Sequence, residues 1–315
     1  MKKNILITGG LGHIGSAFIK SIKVNEFKKI IIIDNLSTQR YSSLFKNNSK
    51  IKFEFYDYDI LDEKIITLFK NVDFVIHLAA ITDATNSFKN SEEIRKINNI
   101  GSKKIIQYCS KYNCKLIFPS TTSVYGSQDE LVDENCKIKD LKPQSPYAEY
   151  KLKIELYLKK FSKKNKINFV ILRLGTIFGI SSGMRFHTAV NKFCWLASIN
   201  QPLTVWETAM YQKRPYLGLN DAVSSFKFII QKIIFDKEIY NIVSSNNTVK
   251  NIIDNIKKIK KIKIKFVKTR IMNQLSYEIS SSKIKKHGFI FKDSLKKGIF
   301  NTLNQLKNIK NNLFF

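Results

Sequence analysis

The run Ile5-Leu6-Ile7-Thr8-Gly9-Gly10-Leu11-Gly12-His13-Ile14-Gly15 limits the possible folds more than any other part of the sequence. An apolar stretch breaks into glycines and then resumes at helical spacing, which reads as strand, tight turn and helix. Glycines can take positive φ and carry no Cβ. The backbone at Gly9, Gly12 and Gly15 can therefore press against a phosphate, while the helix N-terminus offers its free N–H groups. The same pattern also serves ordinary strand-to-helix turns, so its meaning depends on the chain downstream of it.

Downstream lies a second apolar run, Lys29 to Ile33, closed by Asp34 about twenty residues beyond the glycines, where a dinucleotide site carries its ribose-binding carboxylate. Asp34 can accept from both ribose hydroxyls and would repel a 2′-phosphate, which favours NAD over NADP. A third strand, Ile51 to Tyr56, leads into Asp57-Tyr58-Asp59-Ile60, where a polar side chain can reach an adenine edge. A fourth, Asp73 to Leu78, ends in Ala79-Ala80, small enough for a ligand to lie close to the backbone. Strands alternating with helical stretches predict an α/β fold with a doubly wound parallel sheet.

The 315 residues, 43% hydrophobic and 12% aromatic, suffice for one interlocked unit or two domains. The net charge of +29 is scattered over lysines along the whole chain, with no zinc-finger spacing or RNA-binding aromatic signature. It argues for substrate phosphates rather than for a nucleic-acid partner. Cys109, Cys114, Cys136 and Cys194 show neither CxxC nor metal-ligand spacing, which predicts free thiols in a reducing compartment and no bound metal. Lys2-Lys3 before an apolar run superficially resembles a signal peptide, but glycines interrupt the run and no small-residue cleavage site comes after it. No apolar segment is long enough to span a bilayer, and the expected location is cytoplasmic.

Asp83-Ala84-Thr85-Asn86-Ser87 is a polar loop at the carboxyl edge of the expected sheet, where ligands of such folds bind. From Ser91 to Cys109 the positions Ile94, Ile97, Gly101, Ile105 and Tyr108 fall at helical spacing; Asn98, within that helix, reads alone as a surface residue. A fifth strand, Lys115 to Phe118, delivers Pro119-Ser120-Thr121-Thr122-Ser123 to the same edge. Ser145 as N-cap and Pro146 in the first turn start a helix that puts Tyr147 and Lys151 on one face. A lysine ammonium near a phenol favours the phenolate and lowers its pKa, and Thr121 can hold a substrate oxygen. Together they can remove a proton from an alcohol as hydride departs to a nicotinamide. Tyr-x-x-x-Lys alone is common on surface helices, so the pair gains its meaning from the features around it.

In this order the chain resembles the extended short-chain dehydrogenase/reductase family, and within it the nucleotide-sugar epimerase and dehydratase group. The resemblance rests on Thr8 to Gly15, Asp34-Asn35-Leu36, Asp59-Ile60, His77-Leu78-Ala79-Ala80, Asn98 with Gly101, Ser120-Thr121 with Val124-Tyr125-Gly126, Pro146-Tyr147 with Lys151, and Leu172-Arg173. It continues through Arg214-Pro215-Tyr216-Leu217 and Asp221-Ala222 to Ser282-Lys283 with Gly288-Phe289. It implies a Rossmann-type sheet domain from residues 1–179 plus about 214–243, and a smaller, discontinuous substrate-binding lobe from about 180–213 plus 244–315. The implied cofactor is NAD, held by Gly9, Gly12, His13, Ile14, Gly15, Asp34, Asn35, Asp59, Ile60, Leu78, Ala79, Ala80, Asn98, Tyr147 and Lys151. Tyr147 would be the acid/base, Lys151 would bind the nicotinamide ribose, and Thr121 would orient the sugar hydroxyl. Arg214 and Arg270 would hold a substrate diphosphate, a task suited to a forked guanidinium, and Ser87, Thr176, Arg185 and Asn191 complete the implied substrate set. The helices holding Ile94 to Ile105 and Tyr147 to Tyr157 would pair with a second subunit in a homodimer.

Reactions of this group all begin by oxidising a sugar carbon to a ketone, so the fold does not choose among them. In the family's dehydratases an aspartate and a glutamate come after the catalytic threonine, and its decarboxylases keep the glutamate; this chain has Thr122 and Ser123. The resemblance therefore points to inversion at C4 of a nucleotide-activated hexose or uronic acid through a transient 4-ketone. The alternatives are a 4-ketoreductase, dehydratase or decarboxylase on the same fold, and last a non-catalytic NAD- or nucleic-acid-binding protein. Thr176 stands where the family often has an asparagine. Met184 to Phe193 is expected as a substrate-covering helix with Arg185, His187 or Asn191 toward the ligand, and Lys257 to Lys265 as a solvated face.

Overall fold

The computed structural model of the protein describes residues 3–45, 50–82, 90–128, 130–268 and 276–309. Among them seven strands form one parallel sheet: β1 (Asn4–Thr8), β2 (Lys29–Asp34), β3 (Glu54–Asp57), β4 (Phe74–His77), β5 (Lys115–Thr121), β7 (Asn168–Leu174) and β11 (Ile239–Ile242). Their spatial order is β3-β2-β1-β4-β5-β7-β11, a doubly wound arrangement whose order reverses between β1 and β4. Side chains alternate across the sheet: Ile5 and Ile7 enter the core beneath one face and Leu6 the core beneath the other. On the first face lie α1 (His13–Ser21) and α6 (Leu219–Lys232), which bring Phe18 and Phe226 together. On the second lie α3 (Ser102–Lys111) and α4 (Pro146–Phe161), through Ile105, Ile154 and Leu158.

The helix expected from Ser91 to Cys109 is interrupted. After α2 (Ser91–Ile94) the backbone widens to a π-helix over Arg95–Gly101 before α3 begins. Asn98 sits in the wide turn, where its Oδ1 accepts from Ile81 N and its Nδ2 donates to Ile81 O, both at 2.8 Å. Gly101 lets the same turn close on Ile60, whose Cδ1 would lie 2.5 Å from a Cβ. A local widening that serves one long-range tie leaves no trace in the apolar period.

Gly175 is where the chain leaves the sheet. Its N–H still donates to Ile242 O at 3.0 Å, but β8 (Thr176–Phe178) pairs with β10 (Lys213–Gly218), which pairs antiparallel with β12 (Ser245–Thr248). Within the stretch expected to rejoin the sheet, α6 and β11 do so, whereas β10 belongs to this second sheet. A parallel pair joins β9 (Leu203–Trp206) to β13 (Ile264–Val267), and a two-residue bridge joins β6 (Leu131–Val132) to β14 (Glu278–Ile279). The lobe has its own apolar core, with Phe193 of α5 (Ala189–Ser198), Ile252 and Ile256 of α7 (Val249–Lys257) and Ile299 of α9 (Leu295–Gln305). Ile284 of α8 (Ser282–Lys286) returns to the main core.

Two local expectations shift. The helix expected over Met184 to Phe193 begins at Ala189, so Arg185 and His187 lie in the loop before it. In the lysine-isoleucine run, Ile262 and Ile264 pack on the lobe core, and Ile264 opens β13, while Lys261, Lys263 and Lys265 face water. The four cysteines are free thiols. Among the described residues no helix is long and apolar enough to cross a membrane, and no group of three side chains could hold a metal.

Candidate active site

At the end of β1, Gly9 turns the chain with φ +65° and donates its N–H to Ile33 O at 2.7 Å. A Cβ on Gly9 would lie 2.5 Å from Ala79 N, and one on Gly15 2.5 Å from Gly10 O, so neither position admits a side chain. A Cβ on Gly12 would lie 3.3 Å from Gly9 O, closer than side chains ordinarily come to a backbone oxygen, so this position too favours glycine. The helix after the turn has no side-chain cap and no acid in its first turn, so its positive end awaits an external anion. Asp34 is held in place at the end of β2, with Oδ2 accepting from Leu11 N and Oδ1 from Leu36 N, both at 3.0 Å. These residues fit NAD: a bare turn at a helix N-terminus for the pyrophosphate and an ordered carboxylate for the ribose hydroxyls. At the adenosine end, Asn35 Nδ2 donates to Asp59 Oδ2 at 2.7 Å, so these two hold each other, while the Ile60 side chain is buried in the sheet core.

A cleft of about 440 Å³ runs from this turn into the lobe. The sheet side contributes Gly9, Gly12, His13, Ile14, Gly15, Leu78, Ala80, Thr121, Ser123, Tyr147 and Lys151; the lobe side contributes Thr176, Arg185, His187, Lys192, Trp206 and Arg214. Its described lining contains no Asp or Glu. A largely apolar lining that carries hydroxyls and cations and, among the described residues, no carboxylate suits a phosphate-bearing ligand.

Helix α4 begins as its sequence requires, with Ser145 Oγ accepting from Ala148 N at 3.3 Å and Pro146 in the first turn. Tyr147 and Lys151 then share one face, but they are not coupled as the sequence suggests. Lys151, 4% exposed, donates from Nζ to Pro119 O at 2.8 Å and stands 4.8 Å from the Phe118 ring centre. Burial pulls its ammonium down to about 8, with Glu155 opposing. Burial likewise pushes the Tyr147 phenol up to about 12, and the groups that resist are the Arg185 guanidinium and a hydrogen bond with Thr121. The expectation that Lys151 lowers the phenol is thus corrected: a buried ammonium needs an acceptor, and here it finds the Pro119 carbonyl. Thr121 Oγ1 also accepts from Ser123 N at 3.1 Å, which fixes the hydroxyl at the strand end.

His13 lines the cleft as a strut. Its Nε2–H donates to Gly179 O at 2.8 Å, and burial lowers its pKa to about 4, so it is neutral at physiological pH. Ser181 Oγ donates to His13 O at 2.8 Å and Gly183 N to Ser16 Oγ at 3.1 Å, so the segment leading to Arg185 is tied onto the glycine turn. Asn191 is not a ligand contact: fully buried, it accepts from Gly179 N at 3.3 Å and donates to Arg185 O at 2.8 Å, shaping the loop from behind. Asn98 similarly has both ends of its amide on Ile81 and does not line the cleft. Ala79 N donates to Thr8 Oγ1 at 3.3 Å. Ser87 and Arg270 lie outside the described residues.

Lys192, Trp206 and Tyr216 line the cleft without having been singled out, because each stands on a different lobe element and only tertiary pairing brings them together. Glu155 had a signal: with Tyr147 and Lys151 it completes a stripe at fourfold spacing, and Ile154 and Leu158 beside it mark that side of the helix as buried.

A profile of the NAD dependent epimerase/dehydratase family matches residues 5–243. A dTDP-D-glucose 4,6-dehydratase of Dictyostelium discoideum is 33% identical over 248 residues, covering 73% of this chain and 56% of that protein. A putative UDP-glucose 4-epimerase of Methanocaldococcus jannaschii is 39% identical over 182 residues, 56% of each chain. The matched part thus spans little more than half the length of either relative. The crystal structure of a UDP-glucuronic acid 4-epimerase from Bacillus cereus, in complex with UDP-glucuronic acid and NAD, is similar with a TM-score of 0.84 at 26% identity, covering 96% of this chain and 99% of that one. A family match that runs from the first strand of the sheet to its last places the protein in the NAD-dependent epimerase/dehydratase family, and NAD is its cofactor.

Proposed function

We propose that the protein is a 4-epimerase of a nucleotide-activated sugar, either a hexose or a uronic acid. The observation that supports this reading is the cleft wall beside Tyr147, which presents Thr121 and Ser123 and, among the described residues, no carboxylate. Elimination of water across a sugar ring needs a side chain that takes and gives protons at the neighbouring carbons. Thr122 is buried, donates to Leu174 O at 3.3 Å, and does not line the cleft; Ser123 is a weak acid and a weak base. Among the described residues, a ketone formed here meets no carboxylate that would carry it on to elimination.

In this reading Thr121 orients the reacting hydroxyl and Tyr147 takes its proton. Arg185 favours the phenolate that this transfer requires, and Lys151 remains an ammonium at neutral pH. NAD, held at the glycine turn and Asp34, would supply a hydride acceptor and donor for C4, with no net redox change over the cycle. Arg185, Lys192 and Arg214 supply positive charge for a diphosphate, and guanidiniums do so in a forked geometry. The ties from His13, Ser181 and Gly183 keep the lobe segment on the glycine turn, so sheet and lobe act as one wall. A homodimer through the helical stretches from Ile94 to Ile105 and from Tyr147 to Tyr157, a cytoplasmic location, and Ser87 and Arg270 as further substrate contacts belong to the same proposal.

Incubation with UDP-, GDP-, CDP- and dTDP-sugars in deuterated buffer with catalytic NAD, followed by NMR, tests it. The expected product is a C4 epimer without solvent deuterium and without net NADH, and Tyr147→Phe lowers the rate at least about a hundredfold. Loss of water, loss of carbon dioxide, or cofactor consumed one for one would refute epimerisation.

A further inference from the structure

A buried charge cluster stands directly behind the cleft wall and takes no part in the chemistry above. Glu155 lies one turn beyond Lys151 on α4 and is 2% exposed; Arg173 on β7 is 3% exposed. Arg173 grips both carboxylate oxygens, with Nε at 3.1 and 3.2 Å and Nη2 at 2.6 Å, and its guanidinium carbon lies 4.7 Å from the Tyr125 ring centre. The remaining partner of the carboxylate is Ser120 Oγ, which donates to Oε1.

Ser120 occupies a telling place on β5. The residue before it, Pro119, gives its carbonyl to the Lys151 ammonium, and the residue after it, Thr121, bonds the Tyr147 phenol. One carboxylate therefore ties the strand end that meets both reactive side chains to the helix that carries them. A shift of β5 along α4 would have to break this bond before it could misplace Thr121 or release Lys151. Relative to well-packed apolar residues, a buried ion pair adds little net stability, so its value here lies in what it holds in place.

The charges around Lys151 point the same way. Facing it are Tyr147 and Glu155 from its own helix, His77 from β4 and Arg173 from β7, on the far side of Glu155. The His77 imidazole and the Tyr147 phenol are both neutral near pH 7, which leaves Glu155 as the one negative charge of the group. Two buried cations share one buried anion.

We propose that Glu155 is a positioning residue for the Tyr147–Lys151 pair: through Ser120 it sets Pro119 and Thr121 in register with α4, and it places its carboxylate one helical turn from the Lys151 ammonium. The proposal rests on the reading of Tyr147 and Lys151 as the reacting pair, so its test has one arm that needs no turnover. Glu155→Gln keeps an acceptor for Ser120 and removes the charge; Ser120→Ala leaves the ion pair whole and cuts the tie to β5. The Lys151 Nζ titration is followed by NMR in each full-length variant, with circular dichroism as the check on folding.

In Glu155→Gln the Lys151 titration moves down by about one pH unit or more. In Ser120→Ala that titration stays in place while kcat on the sugar substrate falls about tenfold with KM within about twofold, the signature of lost orientation rather than lost binding. A folded Glu155→Gln protein with an unmoved Lys151 titration, or a Ser120→Ala protein with wild-type kcat, overturns the proposal. Should Glu155→Gln fail to fold, Ser120→Ala decides alone. Absence of turnover on every sugar tried counts against the epimerase reading, and the Lys151 titration then decides the matter of the charge.

Discussion

Lys151 shows how a side chain can be legible in sequence while its state is not. Its position on the Tyr147 face follows from helical spacing, but its acceptor, Pro119 O, lies 32 residues earlier and was chosen by the packing of α4 on β5. Burial there lowers the ammonium from 10.5 to about 8. Below pH 8 both folded and unfolded chains hold the proton, and the folded state carries the full cost of burying a charge. Between 8 and 10.5 only the unfolded chain keeps it, so stability rises with pH through that window. Lys151→Met is therefore expected to raise the melting temperature at pH 7, by up to about 3 kcal/mol in stability, and to flatten this rise. Thermal melts from pH 7 to 10.5 check it; a wild-type curve that is flat or falls across the window contradicts the buried ammonium. Asn191 is the opposite lesson: its residue type suggested a ligand contact, yet its surroundings assign it to the backbone of Gly179 and Arg185.

At the scale of elements, what is local was readable. The glycine turn and the cap of α4 depend on residues within a few positions of one another, and the carboxylate closing β2 stands at a fixed short distance along the chain from that turn. Gly9 is the sharpest case, since a side chain there meets both a positive φ and a backbone nitrogen at 2.5 Å. Gly9→Ala is expected to cost about 1–3 kcal/mol of stability and to abolish measurable NAD binding by calorimetry. Wild-type affinity in that variant would show that the turn does not cradle the cofactor. The π-helix over Arg95–Gly101 was not readable, because the apolar positions continue undisturbed through it. Its cause is the distant pairing of Asn98 with Ile81, which rewards a wider turn at that one point.

For the whole molecule, the decisive feature is that a second sheet and the lobe fold back on the glycine turn. His13 fastens that contact through Gly179 O, and His77, fully buried between Thr8 and Ser102, braces the sheet beneath it. Burial lowers the two imidazoles to about 4 and about 3. As pH falls below 6.5 the unfolded chain takes up these protons first, so the stability they secure is present above 6.5 and is lost toward 4 and then 3. The melting temperature should fall along this limb, and His13→Phe should flatten the part between 6.5 and 4, where His13 contributes up to about 3 kcal/mol. An unchanged limb in His13→Phe melts would mean that the imidazole is not buried neutral. The sequence by itself determined the alternation of strands and helices, the bare turn, the carboxylate that closes β2 and the shared face of Tyr147 and Lys151, because each follows from backbone chemistry, periodicity or short spacing along the chain. Only the tertiary structure decided that Lys151 meets Pro119, that Glu155 meets Ser120 and Arg173, and that the cleft wall is free of carboxylates among the described residues. Those partners lie far apart in the chain, and a buried polar group takes whichever partner the packing of sheet, helix and lobe brings within reach.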